Sequence, residues 1–185
     1  MLIMVTGGLG TGKTRFALSM AARLAREGIY ISSPGRTAAV GIPAEGLVLP
    51  SSYHRISTDR EMPLPNVLEH LNMESNIFRA DRRMVIVDSV TGWIGSEFGT
   101  GPLEPADRRR LEVKAERLSD KLLSYQGMLL VITNELSPML YPSEEEALFA
   151  RLVTRLNMEI AERADRVYHL ISGLPVELKE RSFRY

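Results

Sequence analysis

The sequence predicts an α/β fold: a mostly parallel sheet with helices on both faces, in a single domain spanning residues 1–185. Three observations predict it. Short apolar runs alternate with longer stretches of helical period. Most of those runs are apolar at every position, as strands buried on both faces are. A glycine-rich stretch, GGLGTGKT, lies between the first run and the first helical stretch. With 185 residues and 44% hydrophobic content, the chain can fill one core of two or three layers.

The first strand is predicted over Leu2–Thr6 (LIMVT), followed by a helix from Thr14 to Glu27. The second strand is IYIS, Ile29–Ser32. The interval Ser32–Ser52 carries three prolines and three glycines without a sustained period, so it reads as a long loop, of a length that is commonly functional or mobile. His54 stands at the entrance of the next strand and His70 within a predicted helix. MVIVD (Met84–Asp88), MLLVIT (Met128–Thr133) and RVYHLI (Arg166–Ile171) complete the strands. A helix over Arg110–Gln126 aligns Leu111, Ala115, Leu118, Leu122 and Tyr125, with Gly127 placed to end it. Arg108–Arg110 reads as its solvated start. The next helix opens on Ser143 and Glu146 in capping-box spacing and repeats Phe149, Val153, Leu156, Ile160 and Ala164.

Composition excludes several functions. Lys plus Arg and Asp plus Glu each number 23, so no excess positive charge draws the chain to nucleic acid. Without cysteine there is no disulfide, thiolate metal site or thiol nucleophile. MLIMV lacks a basic leader and GMLLVI is too short to cross a bilayer, so a cytoplasmic protein without a membrane partner is expected.

Gly7, Gly12, Lys13 and Thr14 fit G-x-x-x-x-G-K-[ST] between a strand and a helix, the setting of a phosphate-binding loop. The nucleotide-binding residues are thus Gly7, Gly8, Leu9, Gly10, Thr11, Gly12, Lys13 and Thr14. Backbone N–H groups and the helix N-terminus surround phosphate oxygens, Lys13 adds a full charge, and Thr14 is placed to ligate Mg2+. A phosphoryl group needs further charge neutralisation, and Asp88, ending a neighbouring buried strand, is expected to hold the metal directly or through water. Thr133-Asn134-Glu135 closes another strand at the ligand-collecting edge. Glu135 is a candidate base, second magnesium contact or substrate acceptor. His169, within a strand, and His70 read as structural, and Trp93 as packing.

Longer stretches carry a resemblance: MVTGGLGTGKTRFA, IVDSVTGWI (Ile86–Ile94), VITNELSPMLYP and TRLNMEIAERADRVYHLISGLPVELK. In order and spacing these resemble the adenosylcobinamide kinase / adenosylcobinamide-phosphate guanylyltransferase family of cobalamin biosynthesis. Thr-Asn-Glu, Pro142, Arg155-x-Asn157 and Ser172-Gly173-x-Pro175 are specific together. The resemblance implies a P-loop NTPase-type fold, Gly7–Thr14 as the nucleotide site, and Asp88 and Glu135 nearby. It also implies phosphorylation of a hydroxyl on adenosylcobinamide, then transfer of GMP to that phosphate through a guanylylated histidine. In the family that histidine follows the second strand on a helix. Here Ser32–Ser52 contains none, and His54 is the candidate. The asparagine usual after the tryptophan is absent, and Ser137 and Pro138 replace small glycines.

The expected function is Mg2+-dependent phosphoryl transfer from ATP or GTP to a corrinoid or another small hydroxyl substrate, with Lys13, Asp88 and Glu135 as catalytic residues. Asn134, in a segment Asn134–Tyr141 expected to orient the acceptor, and Asn157 are candidate substrate contacts; Asn157 lies beside an apolar helix face, where an unpartnered amide would be costly, so it calls for a ligand or a backbone partner. Two alternatives stay open: a nucleotide-binding regulatory or assembly protein without transferase activity, and a small-molecule kinase for another alcohol. A homo-oligomer is also left open.

Overall fold

The predicted apolar runs all become strands of one sheet. A computed structural model of the chain describes residues 1–33, 48–74, 83–98, 103–136 and 143–181. In order the elements are β1 (Leu2–Gly7), α1 (Lys13–Leu24), β2 (Glu27–Ser32), β3 (Tyr53–Ser57), α2 (Leu64–Glu74), β4 (Arg83–Asp88) and α3 (Val90–Glu97). They continue with α4 (Pro105–Leu123), β5 (Met128–Ile132), α5 (Glu144–Arg163), β6 (Arg166–Ile171), β7 (Leu174–Glu177) and a 3-10 turn at Lys179–Arg181.

The sheet order is β3-β2-β4-β5-β1-β6-β7, and every pairing is parallel except β6 with β7. One expectation is corrected here. Asp88 was expected on a strand beside that of the phosphate loop, but β5 lies between β4 and β1. The strand next to β1 is the one that leads into Thr133-Asn134-Glu135.

Alternation assigns the two faces. Met4, Ile31, Val85, Val87, Leu129 and Val131 face the core built with α2, α3, α4 and α5. Ile3, Val5, Tyr30, Ile86, Leu130 and Ile132 face Ala17 and Ala21 of α1. Full burial of each aliphatic side chain contributes about 1.5–3 kcal/mol, so the paired faces supply most of the drive for this arrangement. Trp93 is 2% exposed within that core, the packing role its sequence context suggests. Among the described residues no helix is long and apolar enough to cross a membrane.

Helix ends depart from expectation where caps outweigh period. Helix α4 starts five residues before Arg110, because Pro105 occupies its first turn and Asp107 accepts from the Glu104 N–H at 3.4 Å. It stops at Leu123, with the Ser124 N–H on Asp120 O at 2.9 Å, so Gly127 does not end it and Tyr125 packs on the core from outside the helix. Helix α5 begins as expected: Ser143 Oγ accepts from the Glu146 N–H at 3.2 Å, and three glutamates fill the first turn, where they complement the helix dipole. The β6–β7 hairpin turns through Ser172 and Gly173, both at positive φ (51° and 84°).

Candidate functional site

Parallel strands end together, so the C-terminal edge of the sheet gathers the loop after β1, the last residue of β4 and the residues after β2 and β5. The loop has its glycines where the backbone requires them. Gly12 precedes α1 at φ 84°, a left-handed conformation. A Cβ on Gly7 (φ 142°) would lie 2.6 Å from the Leu170 carbonyl oxygen. Thr11 Oγ1 donates to Gly8 O at 2.9 Å and tightens the turn.

Lys13 is buried, and its ammonium donates to Gly8 O at 2.6 Å and to Gly7 O at 3.1 Å, inside its own loop. Burial holds it below the ordinary lysine value, and the Asp88 carboxylate pulls in the opposite direction. Thr14 Oγ1 donates to Asp88 Oδ2 at 2.6 Å. The same oxygen accepts from the Tyr30 hydroxyl at 2.7 Å. Burial, then the charge and hydrogen bond of Asp88, push the Tyr30 phenol far above its usual range against the pull of Arg55, so the phenol remains a donor. Asp88 Oδ1 has no hydrogen-bond partner among the described residues.

On the other side, the Glu135 N–H donates to Gly7 O at 3.1 Å and the Thr133 N–H to Val5 O at 3.0 Å, continuing the β1–β5 ladder beyond the strand. Thr6 Oγ1 donates to Glu135 Oε1 at 3.0 Å. The carboxylate is exposed at the edge with its backbone anchored beside the loop. Asn134 and Asn157 belong to a closed polar network beneath it. Thr133 Oγ1 donates to Asn157 Oδ1 (2.7 Å), Asn157 Nδ2 donates to Asn134 O (3.0 Å), and the Asn134 N–H donates to Thr91 Oγ1 (2.8 Å). Because the Thr133 proton goes to Asn157, the 2.9 Å contact between the two threonine hydroxyls has Thr91 as donor. The partner that Asn157 calls for is therefore found inside the protein, at both ends of its amide.

Other expected residues lie elsewhere. His54 is on the edge strand β3, in register with Ile29, whereas Asp88 is in register with Ser32. It sits three residues, roughly 10 Å, back from the edge and four strands, about 19 Å, from β1, so it is not brought to the loop. His169 is partly exposed in β6 opposite Thr6. His70 is exposed beside Glu74 at 3.2 Å. Arg109 and Arg110 are exposed in the first turns of α4, the solvated run expected of them. Most of the Ser32–Ser52 loop, and the segment with Ser137, Pro138, Tyr141 and Pro142, lie outside the described residues.

Sequence reasoning missed Tyr30, Thr6 and Ser33. A tyrosine two residues before the end of a buried aliphatic strand must direct its hydroxyl to some partner, and that signal was available. Ser33 Oγ is buried without a hydrogen-bond partner among the described residues, while its N–H donates to Asp88 O at 2.9 Å. Thr14 Oγ1, Asp88 Oδ1 and Ser33 Oγ are hard oxygen donors, the chemistry a magnesium ion takes.

A parallel sheet whose first strand passes through such a loop into a helix, with oxygen donors meeting it from other strand ends, defines a nucleotide-binding protein of the phosphate-loop α/β class. The chain belongs to the cobinamide kinase / cobinamide phosphate guanyltransferase family, whose model matches residues 3–178. Among solved structures, the P4 protein of bacteriophage phi6 in complex with ADP is similar at 16% identity and a TM-score of 0.46. That similarity covers 94% of this chain and 52% of the phage protein, so the chain spans about half its length. No curated protein sequence matches the chain significantly.

Proposed function

We propose that the chain is a cytoplasmic, single-domain kinase that transfers the γ-phosphoryl group of ATP or GTP to a hydroxyl of a corrinoid of the cobinamide class. The observation that carries this reading is the pair of carboxylates flanking one phosphate loop. Asp88 is bonded to Thr14 on one side, and Glu135 to Thr6 on the other.

Lys13 and the N–H groups at the start of α1 bind the phosphates and stabilise charge on the transferring group. Thr14, Asp88 and Ser33 would hold Mg2+, which would supply charge that neutralises the phosphates. Glu135 accepts the proton of the substrate hydroxyl as its oxygen bonds to phosphorus and the bond to the β-phosphate oxygen breaks. Thr6 fixes the carboxylate for that proton, and Asn157 supports the backbone of Asn134 that precedes it. GMP transfer would need a histidine at the α-phosphate, and the distance of His54 from the loop favours the kinase step alone.

The test is incubation with adenosylcobinamide, magnesium and each triphosphate in turn, followed by mass spectrometry of the corrinoid and of the protein. Phosphorylated corrinoid with unmodified protein is expected. No phosphorylated corrinoid with either triphosphate would refute the proposal.

A further inference from the structure

The Tyr30–Asp88 contact has a geometry that burial alone does not require. Tyr30 pairs with Ile86 on the adjacent strand, so Asp88 is its diagonal neighbour two residues further along the same face. That is the face covered by α1, the helix that Lys13 and Thr14 begin. A phenol is long enough to span the diagonal, and its oxygen ends 2.7 Å from Asp88 Oδ2. The ring is itself fixed: Tyr30 is 2% exposed, and the guanidinium of Arg55, from the paired position on β3, lies 5.5 Å from the ring centroid.

Thr14 has one hydroxyl proton, and it goes to that same oxygen. Both lone pairs of Thr14 Oγ1 are then turned away from Asp88. Asp88 on its own could rotate about two side-chain torsions. Two donors converging on one oxygen remove that freedom and leave Oδ1 without a hydrogen-bond partner among the described residues.

We infer that Tyr30 is a positioning residue of the phosphate site: its hydroxyl orients Asp88 so that Thr14 offers its lone pairs to the divalent cation that accompanies the nucleotide. This rests on the nucleotide site proposed above. The consequence is specific. Removing the hydroxyl should weaken the cation's contribution to nucleotide binding while leaving the cradle of N–H groups and Lys13 intact.

Tyr30→Phe deletes one oxygen and keeps the ring and the Arg55 contact. Calorimetric titration with ATP and with GTP, each in magnesium and in EDTA, separates the two contributions. Magnesium should tighten triphosphate binding to the wild type, and that tightening should shrink about tenfold in Tyr30→Phe, as expected for a lost hydrogen bond to a charged group. Affinity in EDTA should be unchanged.

A loss equal in magnesium and in EDTA would mark Tyr30 as structural only, and a fully retained magnesium effect would also overturn the inference. A wild type without any magnesium effect would instead overturn the underlying reading of the site. Asp88→Asn gives a second arm independent of small stability losses. In that background Tyr30→Phe should not reduce the magnesium effect further, and an additional tenfold reduction there would refute the inference.

Discussion

Asn157→Ala is the substitution that best separates support from substrate contact. In the folded chain both ends of its amide are used, by Thr133 Oγ1 at 2.7 Å and by Asn134 O at 3.0 Å, and Asn157, Asn134 and Thr133 are all at most 7% exposed. Alanine leaves one buried donor and one buried acceptor without partners, at about 1–3 kcal/mol each. It returns roughly 0.5 kcal/mol of helix propensity in α5. The net loss is roughly 1.5–5.5 kcal/mol, which for a chain of this size lowers the melting temperature by about 3–20 °C. Asn157→Asp should cost more than alanine, because it sets a charged acceptor against the Asn134 carbonyl. Thermal melting gives the first readout, and transfer activity per folded molecule gives the second, expected near wild type for alanine at low temperature. An unchanged melting temperature with loss of acceptor-dependent transfer would refute the argument and make the amide a substrate contact.

Lys13→Ala removes a charge-assisted phosphate contact, and calorimetry should find ATP and GTP binding weaker by about tenfold or more. Unchanged affinity for both would sink the phosphate-loop assignment. Gly7→Ala forces a Cβ to within 2.6 Å of Leu170 O at a φ of 142°, so melting should reveal a loss of roughly 2–4 kcal/mol. Incubation with magnesium and GTP should leave the protein mass unchanged, and His54→Ala should keep phosphoryl transfer. An acid-labile GMP adduct that disappears in His54→Ala would falsify this.

Much of the fold was legible because burial on both faces leaves a mark. β1, β4 and β5 read as continuous aliphatic runs, and α5 announces itself by its Ser143 cap and its period. Helix α3 was not legible. Six of its eight residues are buried, so it has no polar face to set a period, and Gly92 and Gly95 lower its propensity. Strand β7 is four residues long and contains Pro175, which argues against a strand unless it is at an edge, where it lies. The phosphate loop was complete in the sequence. The supports of the site were not, because local pattern does not encode strand order. That Tyr30 meets Asp88, and that the strand beside the loop leads to Glu135 and not to Asp88, follows from which strands pair.

The place of β5 also bears on how the chain acquires its site during synthesis. β2, β3 and β4 can pair among themselves as they emerge, but β1 joins them only through β5, with β6 and β7 added on its far side. Thr14 and Asp88 are 74 residues apart, and Thr6 and Glu135 are 129 apart, so these contacts are slow, long-range closures. Until β5 is inserted, β1 and β4 each keep an unpaired edge, the circumstance in which nascent sheets aggregate. The proposed phosphate site straddles that seam, with Lys13 and Thr14 on one half and Asp88 on the other. A bound nucleotide would therefore bridge the two halves that β5 joins, and by mass action it would stabilise the completed fold and not its halves. A nascent chain that has not reached β5 already carries the whole glycine loop and Asp88, yet it lacks the strand that sets the two opposite each other.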